Sequence, residues 1–407
     1  MRRVVVTGMA GITALGDSWE KIEASLRARR NAVRRMPEWD YFEALNTRLG
    51  APVDDFLTPA HYPRKALRSM GRVSVLAVRS SELALRDAGL LDDPAIQDGR
   101  MGIAYGSSSG SVDQVRAFGH MLETGSMQGI TSTSYIQMMP HTTAVNIGLF
   151  FGLKGRIVPT SSACTSGSQG IGYAYEAIRF RRQTMMLAGG AEEISGPGAA
   201  VFDTLFATST RNDTPDATPR PFDRDRDGLV VGEGAATLVL EEFEHAKARG
   251  ARIYAEIVGF GSNSDGTHVT QPEAGTMAVA MLQALDDSGL PPTAIGYVSA
   301  HATATDSGDV AESHATAQVL GNRVPISSMK SYLGHTLGAC GAIEAWWVIE
   351  MMRRQWFAPT INLDCPDPAC AELDHVVGDG RTIDLEYVMS NNFAFGGINT
   401  SMILKRC

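Results

Sequence analysis

One pattern recurs along this chain and constrains its fold more than any other feature. Short apolar runs end in small-residue turns and lead into helix-patterned stretches. RVVVTG (3–8), GIAYGSSSG (102–110), RIVPTSSAC (156–164) and MMLAGGAEE (185–193) read as strands of this kind. Helical patterns lie near residues 19–29 and 68–87, and after Cys164 as far as Ile178. A strand at 236–241 and a charged helical stretch follow. The pattern then restarts near residue 252 with a strand at 253–260, which ends in Gly259-Phe260-Gly261 much as the first ends in Gly8. Helix 275–288, strand 296–301, helix 309–320, strand 325–328 and helix 338–353 complete the second series. This alternation predicts an α/β chain with a mostly parallel sheet covered by helices. The shared order predicts two halves, 1–251 and 252–407, related by internal duplication.

Charge and cysteine usage exclude several function classes. Lys+Arg 36 against Asp+Glu 45 gives a net charge of −9. That is a poor field for general nucleic-acid binding. No run approaches the roughly 18 apolar residues of a membrane span. MRRVVVTG has too short an apolar run for a signal peptide and reads as a strand. The expectation is a soluble, cytoplasmic protein. Five cysteines (Cys164, Cys340, Cys365, Cys370 and Cys407) are an odd, irregular set, read as reduced thiols. Cys365 and Cys370 lack a second ligand pair and stand beside Pro366 and Pro368, so no zinc site is expected. Asp223, Asp225, Asp227 and Gly228 imitate a calcium loop, but its twelfth position is Gly234, with Glu233 one place early. Gly8-Met9-Ala10-Gly11 and Gly259-Phe260-Gly261 fall short of a dinucleotide fingerprint.

Three clusters can carry chemistry. Cys164 follows a strand and a Ser-Ser-Ala turn and precedes Thr165-Ser166-Gly167, at or near a helix N-terminus. Backbone N–H groups there stabilise a thiolate and can hold an oxyanion; a small buried thiol is the plainer alternative. His301 ends a strand and His335 lies in a strand-to-helix turn, five residues after Lys330. A single such histidine is usually structural, but two at strand C-termini mark where open α/β sheets bind ligands. SNNFAFGGINTS (390–401) is either a hairpin turn or a loop over an apolar pocket with Phe395 as a movable wall.

Together, SSACTSG (161–167), RPFDRDRDGLVVGEGA (220–235), HATAT (301–305), SSMKSYLGHTLGACGAIE (327–344) and MSNNFAFGGINTS (389–401) resemble the elongating β-ketoacyl-acyl carrier protein synthases of the thiolase superfamily. The matches keep the family's order over nearly the whole chain. The resemblance implies a thiolase-like five-layered αβαβα fold from two duplicated halves. It implies Cys164 as nucleophile, His301 and His335 as catalytic histidines and Lys330 as their support. The backbone N–H groups of Cys164 and Phe395 map to the oxyanion hole. Thr303 and Thr305 match residues that contact the phosphopantetheine arm, and Phe393 and Phe395 flank the gate. Asp309, Glu312 and Glu344 match acidic positions around the Lys and the histidines. The implied reaction is decarboxylative condensation of an acyl thioester with malonyl-acyl carrier protein, with no metal or redox cofactor. The implied partners are an acyl carrier protein and a second subunit, in a homodimer or a heterodimer with a chain-length-factor-like subunit.

Docking on an acidic carrier would fall to Arg64, Lys65 and Arg68, which match a basic helix of the family. A second basic pair is missing from ETGSMQGITS (123–132). Ala394 replaces a gate glycine, and its Cβ is expected to restrict the loop. Ser109 matches a position where an apolar residue lines the acyl pocket in some members, and its small side chain points to a longer or stiffer chain. These departures suggest a specialised enzyme, with a polyketide or aryl-polyene type of ketosynthase as the alternative reading. A non-catalytic partner subunit conflicts with the presence of Cys164, both histidines and Lys330. A degradative thiolase conflicts with Phe393-Ala394-Phe395 before Gly396, where a second cysteine would be needed.

Overall fold

The computed structural model describes residues 1–407. Eleven strands form one sheet: β1 (Val4–Thr13), β2 (Met101–Gly106), β3 (Ile157–Thr160), β4 (Met185–Glu192), β5 (Gly234–Glu242), β6 (Ala255–Ser264), β7 (Ile295–Ser299), β8 (Pro325–Ser327), β9 (Asp374–His375), β10 (Tyr387–Ala394) and β11 (Ile398–Arg406). Their spatial order is β9-β8-β7-β10-β11-β6-β1-β5-β4-β2-β3. Read outward from the centre, β1-β5-β4-β2-β3 and β6-β11-β10-β7-β8 are the same arrangement. The repeated grammar of the sequence is therefore a repeated topology. The seam is the antiparallel pairing of Val4–Val6 with Ala255–Ile257. Arg3 reinforces it with a bidentate contact to Glu256 at 2.8 and 2.6 Å.

The sheet is mixed, not mostly parallel. β2, β3 and β4 run parallel, as do β7, β8 and β10. β1–β5, β4–β5, β6–β11 and β10–β11 are antiparallel. The cause is local in one case: β10 and β11 are joined only by Phe395-Gly396-Gly397, which permits a hairpin but no crossover.

Six helices complete five layers: α1 (Arg72–Asp87), α2 (Thr142–Phe151), α3 (Ser166–Arg179), α4 (Ala274–Ser288), α5 (Asp306–Leu320) and α6 (Cys340–Arg354). α1 and α2 cover the outer face of the first half-sheet, and α4 and α5 that of the second. α3 and α6 pack on each other between the two half-sheets. This is the five-layered αβαβα arrangement expected. Because both faces of the sheet are covered, strands such as β1 and β4 are buried at every residue. The central layer is largely hydrophobic, with Ile171 and Tyr175 of α3 and Ile343, Trp346 and Trp347 of α6 in one core. The helix expected from residue 68 starts instead at Arg72, because Gly71 in extended backbone separates it from a short helix, Arg64–Leu67. No helix is long and apolar enough to cross a membrane.

Candidate active site

The two central helices begin alike, and those beginnings meet. Tight turns at Ala163–Thr165 and Leu337–Ala339 precede α3 and α6. Each opens on a non-glycine residue in the left-handed region, Ala163 at φ 50° and Leu337 at φ 45°. Such backbone is strained and persists only where packing enforces it. The first turn presents Cys164. The second carries Gly338 at the corresponding place, and a Cβ there would fall 2.7 Å from the backbone nitrogen of Ser108 and 2.9 Å from Glu192.

His335 and His301 converge on the thiol from the second half. His335 Nε2 lies 2.9 Å from Cys164 Sγ. His301 stands edge-on to His335, with ring centroids 5.2 Å apart. Cys164 Sγ and ring nitrogens of both histidines all lie within 4.8 Å of one another. This set could be taken for a metal cage, but tetrahedral zinc would hold sulfur and nitrogen about 3.5 Å apart. A 2.9 Å contact is a hydrogen bond.

Carboxylates hold the histidine-bearing segments from behind. Glu312 of α5 accepts the backbone N–H of His301 at 2.8 Å and of Ala302 at 2.6 Å. Asp309 accepts those of Phe222 at 2.7 Å and Ala304 at 3.1 Å. Burial pushes Glu312 up to about 8 and Asp309 to about 6, against the pull of these N–H groups. Lys330 forms a buried salt bridge with Glu344 of α6. Burial pulls its ammonium down, but Glu344, Cys340 and Glu312 together outweigh that, and the net displacement is upward.

The thiol and the imidazoles are held neutral. Burial pushes Cys164 up to about 12, although Lys330 and the Phe395 backbone N–H pull the other way. Of the two readings the sequence left open, a thiolate held by helix-terminal amides or a small buried thiol, desolvation favours the second. Burial, then the Lys330 charge, hold both His301 and His335 well below the usual imidazole range.

A cavity opens above this centre. Its walls include Cys164, His301, His335, Thr303, Thr305, Phe393 and Phe395. Thr303 and Thr305 pair through their hydroxyls at 3.0 Å. The 390–401 cluster is both things the sequence allowed: a hairpin turn, and a wall of the cavity. Phe395 packs on Phe202, with centroids 5.2 Å apart. Ala394 is not among the left-handed residues; Gly396 and Gly397 are, at φ 87° and 70°, so a Cβ at 394 imposes no backbone strain.

Ser109 sits exposed on the turn after β2 and is not among the residues lining this cavity. Arg64, Lys65 and Arg68 are exposed, and none is in a salt bridge. The false calcium loop is a structural tie: Asp223 accepts the backbone N–H groups of Asp225, Asp364 and Cys365. Arg226 pairs with Asp367 at 2.5 Å. Cys365 and Cys370 are free thiols.

Sequence reasoning missed Asn392, whose amide reaches both Glu344 and His301. It missed Cys340, whose thiol donates to the Cys164 carbonyl at 3.2 Å. No local signal marked Asn392, because every residue from Val388 to Phe393 on β10 is buried.

Comparison with known proteins agrees with this geometry. Residues 1–246 match the β-ketoacyl synthase N-terminal domain, and residues 254–364 match the C-terminal domain of the same family. The chain is 39% identical over 416 residues to 3-oxoacyl-[acyl-carrier-protein] synthase 2 of Vibrio harveyi, covering 100% of this chain and 99% of that protein. Among solved structures, a β-ketoacyl synthase from Burkholderia phymatum STM815 superposes with a TM-score of 0.99 at 71% identity, covering 100% of both chains. The ishigamide ketosynthase/chain length factor superposes at 0.91 and 32% identity, covering 100% of this chain and 99% of that one. With both domains matched and full-length relatives above 30% identity, this chain is a member of the β-ketoacyl synthase family.

Proposed function

We propose that the chain condenses an acyl thioester with malonyl-acyl carrier protein to give a β-ketoacyl-acyl carrier protein two carbons longer, in fatty acid chain elongation. The carrying observation is the Cys164–His335 contact, with His301 and the Phe395 N–H facing the same cavity. In the first half-reaction the Cys164 sulfur attacks the acyl carbonyl. Its proton leaves with the departing pantetheine thiol. The oxyanion takes hydrogen bonds from the backbone N–H groups of Cys164 and Phe395. Malonyl thioester then binds and loses CO2. His301 and His335 donate to its thioester oxygen, where the enolate charge collects. The carbanion attacks the acyl-enzyme and expels the Cys164 thiolate, which regains a proton. Lys330 supports the thiolate by its charge and disfavours imidazolium at both histidines. The steps balance without a metal or redox cofactor.

The halves are taken as residues 1–251, with the nucleophile, and 252–407, with the histidines and gate. Arg64, Lys65 and Arg68 are the carrier-docking set. Thr303 and Thr305 flank the phosphopantetheine arm. A partner subunit fits the far edge of the sheet. β3 is an open edge strand whose Ile157 is 43% exposed, and Tyr135 and Leu149 nearby in sequence are 61% and 71% exposed. Unpaired edges of this kind are otherwise covered or charged. Light scattering should report a dimer that the substitution Val158→Pro weakens; a monomer at all concentrations would remove this part of the reading.

The test of the reaction is intact-protein mass after mixing with acyl-carrier proteins of graded chain length. A gain of one acyl group, absent in Cys164→Ala, is expected, and the chain giving the fastest gain identifies the preferred substrate. No adduct from the purified chain, but an adduct once a chain-length-factor-like subunit is added, would favour the heterodimeric polyketide-type alternative. No adduct in either case would overturn the proposal.

A further inference from the structure

Asn392 closes a buried hydrogen-bonded chain behind His301 that the steps above leave unused. Its Nδ2 donates to Glu344 Oε2 at 2.7 Å and faces His301 Nδ1 at 3.4 Å, with Cys340 Sγ a longer third contact at 3.7 Å. The other Glu344 oxygen is held by Lys330. Asn392, Glu344, Lys330 and His301 are all buried.

The orientation of the Asn392 amide follows from chemistry. A carboxylate paired with a lysine is an acceptor only, so the atom facing Glu344 at 2.7 Å must be the amino group; the flipped amide would set two acceptors together. With one N–H spent on Glu344, the other meets Nδ1 of His301. An imidazole nitrogen that accepts a hydrogen bond carries no proton, so the neutral ring carries its proton on Nε2. His335 has no such constraint. Its Nδ1 is buried without any partner.

We infer that Asn392 is a positioning residue that locks His301 as its Nε2–H tautomer, which makes His301 a dedicated hydrogen-bond donor to the malonyl thioester oxygen. His335, with no partner on its Nδ1 and its Nε2 on Cys164, is the ring that meets the nucleophile. The Lys330–Glu344 pair acts on His301 through Asn392: it fixes which end of the amide faces the ring. This inference rests on the condensing reaction proposed above. It adds that the two histidines differ in role because of one amide.

The test compares wild type with Asn392→Leu, which keeps the side-chain shape and removes both donors. Nitrogen-15 NMR of the histidine-labelled enzyme, without substrate, reads the tautomer directly. His301 is expected to show a bare Nδ1 and a protonated Nε2, and the variant is expected to populate the Nδ1–H form. Malonyl-carrier decarboxylation should then fall on the order of a hundredfold in kcat with little change in KM. Acyl transfer to Cys164 should stay within about twofold. Asn392→Ser retains a single donor and should recover part of the decarboxylation; it carries the test if the leucine variant does not fold. A proton on Nδ1 in the wild type, unchanged decarboxylation in the variant, or equal losses in both half-reactions would each overturn the inference. If the wild type neither takes an acyl group nor releases CO2, the condensing reading falls instead, and the tautomer measured on the free enzyme still decides the role of Asn392.

Discussion

Lys330 and Glu344 form a salt bridge in which both side chains are almost wholly buried, 2% and 4% exposed. Such a pair contributes little over apolar residues of the same shape, but losing one partner strands a charge in the core. Lys330→Met and Glu344→Leu are each expected to cost about 3–5 kcal/mol in urea denaturation. The double variant Lys330→Met/Glu344→Leu should recover most of that loss while remaining inactive. Losses that add up in the double variant would show that the two groups are not coupled.

The neutral state of the nucleophile sets a pH dependence. Burial holds Cys164 up at about 12 and holds His335 well below its usual range. Proton transfer between them is therefore unfavourable until substrate binds. Only the thiolate reacts with iodoacetamide. The sign follows: the thiolate fraction grows as pH rises toward the thiol value, so alkylation of Cys164 in the free enzyme should climb about tenfold per pH unit between 7 and 9. Labelling of Cys164 followed by peptide mass would measure it. A flat profile would mean a standing thiolate–imidazolium pair.

The exposed basic trio offers a charge test away from the chemistry. Arg64 and Lys65 lie on the helix Arg64–Leu67, with Arg68 directly after it. The reversal Arg64→Glu/Lys65→Glu/Arg68→Glu should raise KM for acyl-carrier protein on the order of tenfold at low salt and leave kcat unchanged. With a small pantetheine thioester in place of the carrier, the variant should match wild type. An equal loss with both substrates would place these residues outside carrier recognition.

What the sequence made legible tracks how local each constraint is. The strand-to-helix turns at Cys164 and His335 were visible because small residues must follow a strand that feeds a helix. The duplication was visible in the order of elements. The antiparallel half of the sheet was not, since strand direction depends on which segments become neighbours, and β1 finds β5 and β6 far along the chain. The state of Cys164 stayed open in the sequence for a related reason. The helix-terminal amides are local, whereas the desolvation that outweighs them comes from the packing of the whole chain around the thiol. Ser109 was placed by matching a motif, and its exposure depends on what surface the turn after β2 meets. Asn392 carried no motif of its own; only the packing of β10 against α6 brings its amide to Glu344.

The gate gives a final test, because its two glycines differ in what surrounds them. Both are left-handed, but a Cβ on Gly396 meets nothing, whereas a Cβ on Gly397 would fall 2.7 Å from the Cβ of Asp265. Asp265 also ties the turn down: its backbone N–H donates to the Gly397 carbonyl at 2.8 Å, and its carboxylate accepts from Asn399 at 2.7 Å. Gly396→Ala therefore carries only the backbone penalty, about 1–2 kcal/mol, and acyl transfer to Cys164 should change little. Gly397→Ala must displace either Asp265 or the turn. Displacing the turn moves the Phe395 N–H away from the thiol, so acyl transfer should fall toward the ~10²-fold loss of a missing oxyanion donor. Rapid-quench acylation of the two variants beside wild type separates these cases. Equal rates for Gly396→Ala and Gly397→Ala would mean that the position of the Phe395 N–H does not depend on the Asp265 tie.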